Sequence, residues 1–409
     1  MTYLWKAMGR VHRTFPRRFP TRDCRIRRLV GLRHPESVPS EFCTARHRSR
    51  SRLRGLGSRT SHCCYRRDSG AAVSVASPIR TALVGLGRMG RTHANALREV
   101  DDLHVVAVVD PSPVARTAAQ ELFNGVATYE RLADALHLID ACVIVSPTPH
   151  HPASVREALA AGVHVMCEKP LSLDVDDARL LRDTASRANL TLQIGHWRRF
   201  SPPWREAKRL VEQGAIGRPL WIRLSQWDAN PPPATFCDPK TSGGLAIDCG
   251  VHEYDLAEWF FDEPVVSVRA WNLPLVDQSL ASVGDVDNLC AVLSFRSGRT
   301  AMVDLSRNCR YGDDVRTEIL GEQGAIFVDL LPTGRTRIAD ASGMSDVPKS
   351  HCQDATLAGV VAQAQAFARR IGGEALEVPG AEASARSTQV GHAVIESAAT
   401  GREVAVAES

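Results

Sequence analysis

The chain has no apolar run approaching the roughly 18 residues needed to span a bilayer, so no membrane helix is predicted from it. It has no Cys-x-x-Cys pair and no Cys/His spacing that suits zinc, which argues against a structural metal. The eleven cysteines are scattered, with Cys63-Cys64 the one adjacent pair. Cys142, Cys167, Cys249 and Cys290 lie in apolar runs and read as small core residues. Scattered thiols and the lack of a secretory apolar segment point to a reducing, cytoplasmic setting. Internal repeats are also missing.

Acidic residues are scarce in one place only. Residues 1–70 carry 17 Arg and one Lys against Asp23, Glu36, Glu41 and Asp68. That block stands at +14 and the rest of the chain at −10, which together give the net +4. Aromatic residues are not interleaved with these arginines, as a stacking platform for nucleic acid requires. Residues 1–76 therefore read as a disordered or mis-started Arg-rich extension; a nucleic-acid-binding or transit-type arm is the weaker reading.

Beyond that block, Thr81-Ala82-Leu83-Val84-Gly85-Leu86-Gly87-Arg88-Met89-Gly90 reads as a strand, a glycine turn and the start of a helix. Gly85 allows a sharp turn, Gly87 leaves room for a pyrophosphate, and Gly90 lets helix and strand approach. A second apolar run, Val105–Val109, ends in Asp110, twenty positions after Gly90. That is the layout of a dinucleotide-binding βαβ unit. A carboxylate at Asp110 suits the ribose hydroxyls of NAD and repels the phosphate of NADP. Arg116 offers the opposite charge, so NAD is favoured and NADP stays open.

Strands and helices alternate from residue 79 to about 195, with a helix predicted near Glu130–Leu136. This implies an α/β fold with a doubly wound parallel Rossmann sheet over residues 77–198. Gly85, Asp110, Ser146 and Glu168-Lys169 fall at the carboxyl ends of its strands, where ligands sit. Residues 199–409 read as an α+β substrate and oligomerisation domain built on a large, mostly antiparallel sheet. Gly250–Phe261 is the one helix expected between its strands, and Pro231-Pro232-Pro233 marks a loop. Two amphipathic helices close the chain, and the last is placed so that it can pack back on the Rossmann domain. An open sheet face would serve as a homodimer or homotetramer surface.

Three groups carry chemistry. Glu168-Lys169-Pro170 follows the fifth strand, and Pro170 fixes the turn so that Lys169 projects. Asp248 and His252 are four apart and would share one helix face. Asn308-Cys309-Arg310-Tyr311-Gly312 lies in the sheet domain. An unperturbed histidine titrates at about 6.5, so His252 is a suitable general base. Lys169 can hydrogen-bond the same substrate oxygen, and Asp248 can orient the imidazole or take a neighbouring hydroxyl.

With Gly85–Gly90, Glu168-Lys169-Pro170 and Gly243-Gly244 leading to Asp248-x-x-x-His252, residues 79–405 resemble the Gfo/Idh/MocA family of glucose–fructose oxidoreductases and inositol dehydrogenases. Gly195-His196-Trp197-Arg198-Arg199-Phe200 and Asn308–Gly312 look most like its inositol 2-dehydrogenase branch. The resemblance implies an NAD-dependent dehydrogenase acting on a ring hydroxyl of a polyol or sugar. It implies a catalytic set of Lys169, Asp248 and His252. It also implies that Arg88, Met89, Ser146, His151 and Glu168 line the cofactor and that Trp197, Arg199 and Tyr311 border the polyol. Thr148, Asp313 and the loop Gln226–Asn230 depart from the pattern and leave the polyol itself open. The alternatives are an NADP-dependent reductase of a keto-sugar and a non-catalytic cofactor-sensing regulator.

Overall fold

Aliphatic runs buried on both faces need cover on both sides, and in the computed structural model they form the centre of a parallel sheet. The structure describes residues 77–229, 232–331 and 333–407. The arginine-rich extension lies outside them. Among the described residues the strands form two sheets.

The first sheet contains β1 (Ile79–Val84), β2 (Leu103–Val109), β3 (Ala127–Tyr129), β4 (Ala141–Ile144), β5 (His164–Cys167) and β6 (Leu192–Ile194). Its order is β3-β2-β1-β4-β5-β6, and every pairing is parallel. Helices α1 (Arg88–Leu97), α2 (Pro113–Leu122), α3 (His151–Ala160) and α4 (Val175–Arg187) connect these strands. The strand order reverses between β1 and β4, which opens a crevice at their carboxyl ends. Gly85 ends β1 there with φ +94°, and a side chain on it would stand 2.8 Å from the Val145 carbonyl.

The segment predicted as a helix near Glu130–Leu136 is instead two 3₁₀ turns, Leu132–Asp134 and Leu136–Leu138. Leu132, Ala135 and Leu138 are three apart and turn toward the interior, the period of a 3₁₀ turn rather than an α-helix.

Next come α5 (Pro202–Glu212), β7 (Pro219–Trp227), α6 (Ala234–Cys237), α7 (Pro239–Ser242), α8 (Gly244–Asp248) and α9 (Gly250–Phe261). Three short helices thus precede α9, where only α9 was expected. Pro233 and Pro239 set their starts, and Gly243 at φ +83° ends α7. The second sheet adds β8 (Val265–Asn272), β9 (Asn288–Phe295), β10 (Thr300–Ser306), β11 (Asp314–Gly321), β12 (Ala325–Asp329), β13 (Arg335–Asp340) and β14 (Gly343–Asp346). After α10 (Ala355–Ile371) and α11 (Ala381–Thr400), β15 (Val404–Ala405) completes its edge. Its order is β14-β13-β12-β11-β7-β10-β9-β8-β15, antiparallel except for the β7/β10 pair.

Alternating burial along β9, β10 and β11 shows that one face of this sheet is covered. Ile222, Leu224, Leu293 and Val303 meet Trp204, Ala257 and Phe260 there in one core. On the other face Trp271, Met302 and Leu320 are exposed. Cys290 lies on that face and is only half-buried, so it is not the core residue expected.

The last helix joins both sheets. Ser384 Oγ accepts from Leu171 N at 2.9 Å, and Ser397 Oγ accepts from Ala270 N at 3.0 Å. Trp204 is fully buried, stands edge-on to Trp197, and donates from Nε1 to Thr317 Oγ1 at 3.0 Å. Trp204→Ala is expected to lower stability by about 3–5 kcal/mol. Urea unfolding checks this; a loss under about 1 kcal/mol would mean the core does not depend on this side chain.

Candidate active site

The glycine turn builds one end of the site. Gly90 lies so close to the turn that a Cβ on it would stand 2.3 Å from the Gly85 carbonyl. Gly87 caps α1 without any side-chain hydrogen bond, and nothing lies within 4 Å of where its Cβ would be. The first turn of α1 holds no acidic residue. Free amides, room and no negative charge together suit a pyrophosphate. Arg88 is exposed and Met89 half-buried at this helix start.

Asp110 ends β2 beside the turn. Its Oδ2 accepts from Leu86 N and its Oδ1 from Ser112 N, each at 2.8 Å. The carboxylate thus braces the turn and keeps acceptor capacity for hydroxyls. Arg116 Nη1 donates to the carbonyls of Asp110 and Pro111 at 2.7 and 2.9 Å. Ser146 Oγ is buried and has no hydrogen-bond partner among the described residues. A turn with open space, an accepting carboxylate and an unpaired hydroxyl at the switch point fit a dinucleotide.

The Glu168-Lys169-Pro170 turn follows β5, and its Lys169–Pro170 peptide is cis. Glu168 is buried. Its Oε1 meets His93 Nε2 of α1 at 2.8 Å, and its Oε2 accepts from Lys169 N at 3.1 Å. Gly195 makes room for this carboxylate, since a Cβ there would stand 2.8 Å from Oε1. Glu168 therefore faces inward and holds the turn, where a cofactor contact was expected. His93 was missed at the sequence level; a histidine on the buried face of α1 was the available signal.

His151 also holds the turn. It is 1% exposed, with Nδ1 2.8 Å from the Pro170 carbonyl and Nε2 2.7 Å from the Ser146 carbonyl. Both ring nitrogens face backbone carbonyls, and a neutral imidazole donates to one of them, so the side chain is turned to the backbone where a cofactor contact was expected. Burial pushes its pKa down, against the pull of the two carbonyls.

Lys169 crosses to the second sheet domain. Its Nζ donates to the Asp248 backbone carbonyl at 2.5 Å and lies 3.2 Å from Asp248 Oδ1. The single helix expected to carry Asp248 and His252 is interrupted at this contact. In one continuous helix the Asp248 carbonyl would accept from His252 N. Lys169 takes that carbonyl instead, α8 stops at Asp248, and His252 N turns to the Cys249 carbonyl at 3.3 Å. Asp248 and His252 therefore belong to two successive helices, and Asp248 pairs with Lys169, not with the imidazole. Cys249 between them is buried and donates its thiol to Asp228 Oδ2 at 3.2 Å.

Burial opposes the charge of Lys169, but Asp248 and Glu168 outweigh it and hold its pKa above the ordinary value. His252 moves the other way. Burial, with the cations Arg198 and Lys169 beside it, holds its pKa well below the ordinary value. The site thus pairs a charged lysine with a neutral imidazole at neutral pH.

Of the three residues expected to border a polyol, Trp197 packs against His252, while Arg199 and Tyr311 are paired with carboxylates. Trp197 is buried in the core beneath His252, ring centroids 6.2 Å apart. Arg199 makes a two-pronged ion pair with Asp255, at 2.8 and 2.6 Å. Tyr311 is 65% exposed on the open sheet face, donates to Asp314 Oδ2 at 2.7 Å, and lines a cleft of about 470 Å³ with Arg316, Asp329 and Arg337. Among the described residues, no group of three acidic, His or Cys side chains could hold a metal ion. No described helix is long and apolar enough to cross a membrane.

Comparison with known proteins gives a consistent family. Residues 79–196 match the oxidoreductase family with an NAD-binding Rossmann fold, and residues 204–327 match the GFO/IDH/MocA C-terminal domain. A scyllo-inositol 2-dehydrogenase (NAD(+)) of Bacillus subtilis is 34% identical over 273 residues, 65% of this chain and 78% of that protein. A myo-inositol 2-dehydrogenase of Thermotoga maritima is 34% identical over 270 residues, 65% of this chain and 79% of that protein. The crystal structure of scyllo-inositol dehydrogenase from Lactobacillus casei with bound NAD(H) and scyllo-inositol superposes with a TM-score of 0.72 and 27% identity. That match covers 81% of this chain and all of that one. By sequence and by fold, the chain belongs to the Gfo/Idh/MocA oxidoreductase family.

Proposed function

We propose that this chain is an NAD-dependent dehydrogenase that oxidises a ring hydroxyl of an inositol-like polyol or sugar. The observation that carries the reading is the Lys169–Asp248 contact beside a buried, neutral His252, at the strand ends next to the glycine turn. The inositol dehydrogenase relatives support the substrate class.

Gly85, Gly87 and Gly90 would admit the pyrophosphate, with Arg88 and Met89 beside it. Asp110 would take the ribose hydroxyls, and Ser146 Oγ is a free donor at the crevice. NAD, when bound, supplies the hydride acceptor. The Lys169 ammonium donates to the substrate oxygen and stabilises the charge that grows there. His252 accepts the hydroxyl proton. Asp248 anchors Lys169 and offers its remaining oxygen to a neighbouring hydroxyl. Trp197 packs against His252 and Arg198 bears on its charge, while Arg199 is held by Asp255. Arg116 Nη1 is turned to backbone carbonyls rather than held out toward a 2′-phosphate. The uncovered face bearing Trp271, Met302 and Leu320 would join subunits of a homo-oligomer.

Lys169→Met and His252→Ala are each expected to lower turnover roughly 10²–10⁴-fold. NADH binding, followed by fluorescence, should stay near wild type. Wild-type turnover in either variant removes the proposed roles.

The pH profile is set by the same two groups. His252 works when neutral, and its depressed pKa puts the acid limb of kcat/KM below the ordinary histidine value of about 6.5. Lys169 works when charged, and its raised pKa puts the alkaline limb above the ordinary lysine value of about 10.5. An acid limb at or above pH 6.5, measured by initial rates, contradicts this assignment.

Asp110→Ser is expected to raise the use of NADP relative to NAD. An unchanged ratio of kcat/KM for the two cofactors would mean that Asp110 does not meet the ribose.

A further inference from the structure

The proton that His252 takes must leave before the next turnover, and a route for it presupposes that His252 is the base. The surroundings of His252 are unfavourable for that proton. His252 is 6% exposed and faces Arg198, Lys169 and His196.

His196, just after β6, stands in a different field. It is 1% exposed, and its ring is perpendicular to that of His252 with centroids 6.1 Å apart. Its Nδ1 lies 3.6 Å from Asp255 Oδ2. Burial opposes a proton on His196, and so do Arg199 and Lys169; Asp255 and Glu168 favour it. The two histidines therefore differ in kind. Burial holds both pKa values below the ordinary one; Arg198 and Lys169 add to this at His252, whereas at His196 Asp255 and Glu168 stand against Arg199 and Lys169.

Among the described residues, neither ring nitrogen of His196 has a hydrogen-bond partner, and neither does Nδ1 of His252, although all three atoms are buried. Buried polar atoms are normally paired. Three unpaired nitrogens on two rings 6.1 Å apart do nothing for packing, but they leave donors and acceptors free for a transfer step. Rotation of a ring about χ2, or one bridging water, completes the contact.

We propose that His196 is a proton-relay residue that acts through His252. It takes the proton from His252 after oxidation and holds it against the Asp255 carboxylate. In this step an N–H bond breaks at His252 and one forms at His196, with no change in oxidation state. Arg199, 16% exposed and paired with Asp255, marks the way out to solvent.

The test uses the full chain, its His196→Phe and His196→Asn variants, and scyllo- or myo-inositol as probe. NADH fluorescence checks that each variant keeps its cofactor site, with His196→Gln replacing either variant that does not. Stopped-flow absorbance follows NADH while a pH-indicator dye follows the released proton. In the variants the first-turnover NADH burst should stay near wild type. Proton release and kcat should slow by about tenfold or more, and KM for NAD⁺ should not change. Proton release and kcat at wild-type rates would overturn the relay. So would a first-turnover NADH burst slowed as much as proton release, which is what a structural role gives. His252→Ala separates the two levels. If it turns over normally, the base reading fails and the relay with it. If it is slow while the His196 variants are normal, the relay alone fails.

Discussion

An ammonium group taken out of water needs a carboxylate and further acceptors, and for Lys169 both come from the other sheet domain. Its Nζ meets the carboxylate of Asp248 and also takes that residue's backbone carbonyl. At that carbonyl the helix rung to His252 N is missing, and α8 and α9 part there. The Lys169–Asp248 pair also links the two sheet domains, since Lys169 follows β5 of the first and Asp248 ends α8 in the second. Asp285 supports that side, accepting from Leu245 N at 2.9 Å in α8. On the other side, His93, Glu168 and His151 grip the turn from which Lys169 projects.

Burial acts on both groups of the site; the partners of Lys169 reverse its effect and those of His252 reinforce it. Lys169 keeps its proton because Asp248 and Glu168 face it. His252 stays neutral because burial opposes its charge, and Arg198 and Lys169 add to that. One desolvated cleft thus holds a hydrogen-bond donor and a proton acceptor in the states that alcohol oxidation requires. Burial alone would discharge both groups.

The parts legible in the sequence are those set by local backbone needs. The spacing of Gly85, Gly87 and Gly90, the acid that ends the second strand, and the alternation up to residue 195 each follow from what a short stretch can adopt. The long tail helices are legible for the same reason: seventeen residues of periodic pattern in α10 leave little ambiguity. Polar side chains are different, because their partners lie far away in the chain. Arg199 and His151 look available in the sequence. In the structure Asp255, 56 residues away, occupies one, and the carbonyls of Pro170 and Ser146 occupy the other. Tyr311 follows a strand whose neighbours could not be ordered from its residues alone, so its face of the sheet was hidden. The four-residue step from Asp248 to His252 suggested one helix, and only the arrival of Lys169 from residue 79 positions earlier in the chain changes that.

The central claim is that the purified chain transfers hydride from a polyol to NAD. Initial rates of NADH formation, with NAD⁺ or NADP⁺ against myo-, scyllo- and chiro-inositol and common aldoses, measure this. Reduction of NAD⁺ by an inositol or a related sugar is expected, with NADP⁺ the poorer acceptor. A chain that binds neither NADH nor NADPH by fluorescence, and reduces neither cofactor with any of these substrates, would contradict the claim.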